Sequence, residues 1–433
     1  MRPALALAVA AAVAVMLARS GSGPRILRLP AGVVDVHAEI PIGAGTEVRG
    51  APSGTMLRVA PDFTGRAVFV VRGSGVVLRD FAVEGDRGAI ESRTGLPGYD
   101  TPFSRFTRGN GILAIGADRL AIGGVRFRHI AGFAVLVSQS RFVSIDRVSV
   151  TDSGSRNAAG RNNATGGILL EEGASDFQVT RCDLRNILGN GVWTHSLYTS
   201  PRNQRGLISG NRFVEIGRDA IQVGHAIAVR VEENAGERIG FPVDTVDIEH
   251  QAVPVAIDTA GNVERSAYVG NRFEELDGKC IDLDGFHDGE VRGNTCINRG
   301  AAASYPFGNY GVVMNNSNPD MRSQNIHVVE NLIEGPLLGG IFVIGTGHRI
   351  VGNRLLNLNT ARCDACIYRA SEPEMLRSGI YLGSGAERPA PARGNTIEDN
   401  EITGYKMKTR CIAAAPGIAR NANVVWNNRC RDR

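Results

Sequence analysis

The sequence predicts an all-β solenoid, a stack of short coils, and three observations carry that reading. The first is a recurring phrase: Gly-Asn-Arg-Phe at 210–213 and again at 270–273, Gly-Asn-Thr-Cys at 293–296, Gly-Asn-Arg-Leu at 352–355 and Asp-Asn-Glu-Ile at 399–402. The second is its period. Asn271 and Asn294 are 23 residues apart, and Asn331 and Asn353 are 22 apart, a spacing that marks stacked repeats. The third is composition: 54 glycines against 15 phenylalanines and 2 tryptophans suit short strands joined by many turns. A chain of 433 residues would ordinarily suggest two or three globular domains. A solenoid core instead grows in one dimension as repeats are added.

From about residue 25 onward no amphipathic helix pattern stands out. What recurs is a short strand alternating apolar-x-apolar, anchored at Ile112, Val135, Ile168, Val192, Ile221, Ile281, Val312, Ile341, Ile380 and Ile412. About ten coils are expected. The gap between Ile221 and Ile281 is 60 residues, which implies an inserted loop at about 226–262. Part of it reads equally as one more coil, because Val255-Ala-Ile-Asp258 also alternates. The recurring Asn is expected to take the left-handed conformation of a tight corner. Stacked on successive coils, these side chains can bond one another and the neighbouring backbone.

This layout resembles the right-handed parallel β-helix of the pectate lyase and polygalacturonase superfamily. The opening segment agrees: Leu29-Pro-Ala-Gly-Val, then Ile40-Pro-Ile-Gly, then Glu47-Val-Arg-Gly-Ala. In that superfamily a similar segment forms the first coils and the N-terminal cap. The resemblance implies one β-helix domain over residues 21–433. It speaks to architecture more than to chemistry, because such solenoids host many activities.

Residues 1–20 read as a secretory signal. Arg2 gives the positive start, Ala4 to Leu17 is apolar, and Ala18, Ser20 and Gly21 offer small residues for cleavage. The mature protein is therefore expected to be secreted or periplasmic, without stable membrane insertion. Seven cysteines leave at least one unpaired within the chain. Cys363-Asp-Ala-Cys366 reads as a local disulfide, and Cys280, Cys296 and Cys411 read as small core residues. The net charge of +4 is spread along the chain, which gives no argument for a nucleic-acid partner.

Side chains on a strand alternate faces, so the anchors assign the outward residues. Asp282 and Asp284 face out together on one strand, their Cβ atoms about 6.5–7 Å apart. A glycosidase needs two carboxylates flanking a bond, and this spacing favours inversion. Asp282, Asp284 and His195 are the candidate catalytic residues. Trp193 and Tyr381 are candidates to stack on sugar rings. Glu171, Gln222, His225, Lys279, His287 and Asn315 complete the candidate substrate-binding set. Glu171 lies about 14 Å from Asp284, far enough to serve another sugar unit.

The phrase around Asp282 also resembles the polygalacturonase motif Asn-Thr-Asp-Gly-Ile-Asp, but only Asp282 matches a catalytic position. Lys279 and Cys280 stand where that family has its first catalytic Asp and the following Gly. The expected function is a secreted glycoside hydrolase acting on a polysaccharide or oligosaccharide in a groove on the outer face. The alternatives are a polysaccharide lyase or uronate epimerase, and a non-catalytic surface or adhesion β-helix. No cofactor is expected for a hydrolase. For a lyase, Asp282 and Asp284 could hold Ca²⁺. The sugar, the linkage, endo or exo action and the oligomeric state stay open at the sequence level.

Overall fold

The computed structural model describes residues 25–433 apart from 91–99, 157–159, 163, 248–252, 365, 367, 369, 371 and 386. The proposed signal segment and the Glu249-His250 pair lie outside the described residues.

The chain winds as a right-handed parallel β-helix, and every strand pairs in parallel with the equivalent strand of the next coil. One face is a fourteen-stranded sheet running from Gly32–Val36 to Arg429–Asp432. The other strands form two faces that join into one sheet through Ile221–Glu232, Val255–Glu264 and Lys279–Arg292. Each of these long strands bends where the backbone enters the left-handed region, at His225, Gly261 and Gly285. At Gly285 any Cβ would lie 2.5 Å from the Gly261 carbonyl oxygen, so only glycine turns that corner.

The core is continuous along the axis. Ile112, Val135, Ile168, Val192, Ile221, Ile281, Val312, Ile341 and Ile380 are all buried in it, and they stand in register from coil to coil. The stack is taller than the ten coils expected. The first coils, such as Arg25–Arg28, Gly32–Val36 and Ile40–Ile42, use short strands without the Asn phrase and so escaped the period. The helices among the described residues are single turns, Arg87–Ile90, Phe103–Phe106 and Met407–Arg410.

The recurring asparagines form a buried ladder. Asn211, Asn234, Asn271, Asn294, Asn331, Asn353, Asn400 and Asn428 each pass a side-chain hydrogen bond to the next, at 2.8–3.0 Å. Each side-chain amide also donates to a backbone carbonyl, as Asn271 does to Val231 at 2.9 Å. The left-handed corner falls one residue earlier than expected, on Gly210, Glu233, Gly270, Gly293, Glu330, Gly352, Asp399 and Asn427. The glycine of the phrase makes the turn, and the asparagine satisfies the backbone groups that the turn exposes.

The expected insertion at 226–262 is largely a full coil. Val255–Glu264 is a strand whose Ile257 stands between Ile221 and Ile281, and Ala235–Ile239 belongs to the fourteen-stranded face. Among the described residues of this stretch, 240–247 and 253–254 lie outside these strands. The cysteine reading needs a second correction. Cys363–Cys366 is a disulfide as expected, but Cys280–Cys296 and Cys411–Cys430 are disulfides too, and Cys182 is free and buried. Cys280 and Cys296 lie on different faces of one coil, so strand alternation could not show that they meet.

Two outcomes follow. Asn271→Ala leaves two buried donors of Asn234 without an acceptor, which costs about 3 kcal/mol; the denaturant midpoint of unfolding reads it. Denatured but unreduced protein should take up one equivalent of iodoacetamide by mass spectrometry, on Cys182, and seven after reduction.

Candidate functional site

A cleft opens on the outward row of Asp282. Gln222, Asp258 and Asp282 stand side by side on three successive coils. They floor a cleft of about 170 Å³, walled by Arg218, Asp219 and Asp247 on one side and reached by Lys279 and Asp284. Ile281 and Leu283 are buried in the core, so alternation sends Asp282 and Asp284 outward together as expected.

The cleft carries its own hydrogen-bond order. Asn190 donates to the Gln222 side-chain oxygen at 2.8 Å, and the Gln222 amide donates to Asp258 Oδ2 at 2.7 Å. Lys279 Nζ is ion-paired with Asp282 Oδ2, while Asp282 Oδ1 is buried without a hydrogen-bond partner among the described residues. The Asp284 carboxylate accepts from the Ser317 backbone N–H at 2.8 Å and from the Ser317 hydroxyl. Asp219 Oδ1 accepts from the Val255 N–H at 2.9 Å.

Burial and mutual repulsion set the charges. Burial pushes Asp219 up to about 6, and the charge of Asp282 adds to it. Asp258 is raised well above the usual carboxylate range by burial, then by Asp219 and Asp282. Burial, with Asp282 nearby, pushes Asp284 up to about 6 against the hydrogen bonds from Ser317. Burial disfavours the charged form of Lys279, but Asp282, Asp258 and Asp284 outweigh it, so its ammonium is held above the ordinary value. The site therefore stores protons on carboxyls beside a fixed cation.

The other residues singled out from the sequence divide sharply. Gln222, Lys279, Asp282 and Asp284 line the cleft, and Asn315 is half-buried beside Asp284 on the next coil. Trp193 does not offer a stacking face. It is buried against Phe103, ring centroids 4.8 Å apart, in a cluster with Phe133, Leu136 and Leu169. Glu171 is fully buried and its two oxygens accept the Phe103 and Ser104 N–H groups at 2.8 and 2.9 Å. It anchors the single-turn helix that covers Trp193 and faces no substrate.

His195 stands edge-on to the Phe103 ring at 5.1 Å. Burial lowers it to about 4, so the imidazole is neutral. Three strand spacings, about 14 Å, separate it from Asp284, too far to share one bond. Glu171, Glu172 and His195 do bring ligand atoms within 4.8 Å of one another, though Glu171 is already held by the helix turn. A Ca²⁺ shared by Asp282 and Asp284 would compete with Lys279 on the first and Ser317 on the second. His287 is buried in the wall, bonded to Asp288 at 2.7 Å and Asn262 at 3.0 Å. Tyr381 is buried, stacked on Phe342 and hydrogen-bonded to Glu372.

Sequence reasoning missed Asp219 and Tyr198, and left Asp258 undecided between a loop and an extra coil. Asp258 occupies the outward place next to Asp282, a position visible once Val255–Glu264 is read as a coil. Tyr198 is 56 % exposed and meets His225 edge-on at 4.1 Å. Burial pushes its phenol up to about 12, helped by the charges of Asp320 and Asp284. The charge of Asp284 reaches it, and His225 serves as its support.

Among solved structures, the fold is similar to DFA-IIIase from Arthrobacter chlorophenolicus A6 in complex with GF2, with 14% identity over 98% of this chain and 94% of that chain and a TM-score of 0.57. The same protein without its lid gives a TM-score of 0.59 at 12% identity, over 98% of this chain and 95% of that one. The Dettilon tailspike protein gp208 gives 0.56 at 13% identity, over 92% of this chain and 63% of that one. At such identities the likeness is one of fold. No protein-family description and no curated protein matches the chain.

One pH dependence follows. Asp219 binds its proton more tightly folded than unfolded, so its contribution to stability is full below about pH 4 and is lost as pH rises towards 6. Asp219→Asn keeps the oxygen that accepts from Val255 and removes the charge. The variant should therefore gain stability over wild type above pH 6 and lose that advantage below pH 4, read by denaturant midpoints across the range.

Proposed function

We propose that this protein is an exported glycoside hydrolase whose acid and base are Asp284 and Asp282. One observation carries the proposal: two outward carboxylates of one strand share a cleft, Asp284 held by Ser317 and Asp282 ion-paired with Lys279. Asp284 is the more open of the two, and with its pKa near 6 it holds a proton in mildly acidic solution. It acts as general acid on the leaving oxygen. Asp282, paired with Lys279, is the anionic partner that activates water. In the balanced step the anomeric carbon–oxygen bond breaks, the leaving oxygen takes the Asp284 proton, and water gives its oxygen to the sugar and a proton to Asp282.

Three disulfides among the described residues fit an oxidising compartment outside the cytoplasm, and no helix among the described residues is long and apolar enough to cross a membrane. The similarity to DFA-IIIase structures holding GF2 and DFA-III supports a carbohydrate ligand. The lyase and epimerase reading needs a cationic environment for a uronate, and five aspartates against one arginine and one lysine line this cleft.

Asp282→Asn and Asp284→Asn should each lower kcat about 10²- to 10⁴-fold, measured by reducing-end release on a confirmed glycan, with melting little changed in Asp284→Asn and lowered in Asp282→Asn, which leaves Lys279 without its ion pair. Wild-type kcat should fall above about pH 6 as Asp284 loses its proton. Turnover close to wild type in both variants would remove the pair from the chemistry. Tyr198→Ala should raise KM up to about tenfold through lost stacking and leave kcat and melting near wild type.

A further inference from the structure

β-Helices that cut within polymers need an outer face open along the axis. In this chain the outward row that carries Asp282 is plugged on both sides. On the N-terminal side the row reads Leu113, Leu136, Leu169, Trp193, and all four are buried. Phe103 lies over Trp193, Phe133 and His195, and its helix turn is tied down by Glu171. On the C-terminal side the row reads Val313, Phe342, Tyr381, at 5 %, 7 % and 3 % exposure. The tyrosine is hydrogen-bonded to Glu372, which also accepts the Ser384 and Gly385 N–H groups at about 3 Å.

Between the plugs the floor is Gln222, Asp258 and Asp282, which line the cleft while none of the plug residues does. Two strand spacings span it, about 10 Å. A cleft of about 170 Å³ over that floor has room for one or two sugar rings and none for a chain passing through. Its lining decides charge as well as length. Asp247 is spent on Arg161, at 2.8 Å, and Lys279 is spent on Asp282. A uronate carboxylate would have to compete with Asp282 for Lys279 and stand among three further carboxyls, Asp219, Asp258 and Asp284.

We infer that this site takes the end of a neutral glycan, or a neutral disaccharide or trisaccharide, and releases one or two sugar units at a time. The inference rests on the hydrolase reading above for its chemistry, but the shape and charge of the cleft stand apart from it. Hydrolysis still adds one water across one glycosidic bond; what the plugs select is the terminal bond.

The test is a panel of neutral oligosaccharides of two to six units, among them fructo-, gluco-, xylo- and manno-oligosaccharides, with their polymers and with oligogalacturonides. Products are followed by mass spectrometry and polymer length by viscosity. The expected result is a mono- or disaccharide as the sole early product, with viscosity unchanged and no turnover of oligogalacturonides. A ladder of internal fragments, or faster cleavage of oligogalacturonides, overturns the inference while leaving a hydrolase standing. If no glycan is turned over, calorimetric binding of the same oligosaccharides to wild type decides. Affinity that saturates by two or three neutral units upholds the pocket and sinks the hydrolase. Affinity that keeps rising with length, stronger binding of the uronates, or no binding overturns the pocket as well.

Discussion

Everything in this molecule depends on the coils staying in register, and the buried asparagine ladder enforces it. Each side chain uses its oxygen to accept two N–H groups from the coil before and its amide to reach the coil after and a backbone carbonyl. A slip of one residue in any coil would leave several buried polar groups unpaired, each costing about 1–3 kcal/mol. Apolar stacking alone tolerates such slips, because neighbouring isoleucines and valines are nearly interchangeable. Register is what places Asp258 opposite Asp282 and Ala260 opposite Asp284, so the cleft inherits its geometry from a ladder on another part of the coil.

The carboxylates also owe their place to the three bent strands. His225, Gly261 and Gly285 turn the backbone at equivalent positions on successive coils, and the outward carboxylates lie just before those bends. The bends let each strand feed two faces without a break, which makes the walls of the cleft rigid. Tyr198 is exposed and packs edge-on against His225, within reach of the charge of Asp284. The cleft thus has a stiff floor and a charged lining.

Much of this was legible in the sequence, for local reasons. Alternation between core and surface is a property of the strand itself, so Ile281 and Leu283 placed Asp282 and Asp284 correctly. Period and phrase gave the solenoid. What lay beyond reach came from contacts between distant segments. Trp193 and Tyr381 do point outward, but Phe103 covers one and Glu372 holds the other, and no pattern along a strand reports what lies above it. The same holds for Cys280 with Cys296 and Cys411 with Cys430, which meet between different faces within a coil. Asp258 was hidden by an irregular spacing, since the segment 240–254 displaces the next anchor. The left-handed residue was assigned one place late because Gly and Asn share the phrase, and chemistry alone does not say which one turns.

The ladder begins at Asn211, with the Cys182 backbone N–H as its first donor at 2.9 Å, and the three disulfides all lie beyond residue 279. The two ends of the solenoid are therefore unequal. A repeat array is held by the sum of nearest-neighbour interfaces, and here, among the described residues, the interfaces before residue 182 lack the disulfides and the continuous ladder, with Asn110 bridging only Arg66 and Phe133. Mechanical or thermal stress should peel the molecule from its amino end, coil by coil. The helix turn at Phe103–Phe106, which seals one side of the cleft, belongs to that weaker end. Partial fraying would lengthen the groove before it destroyed the carboxylates.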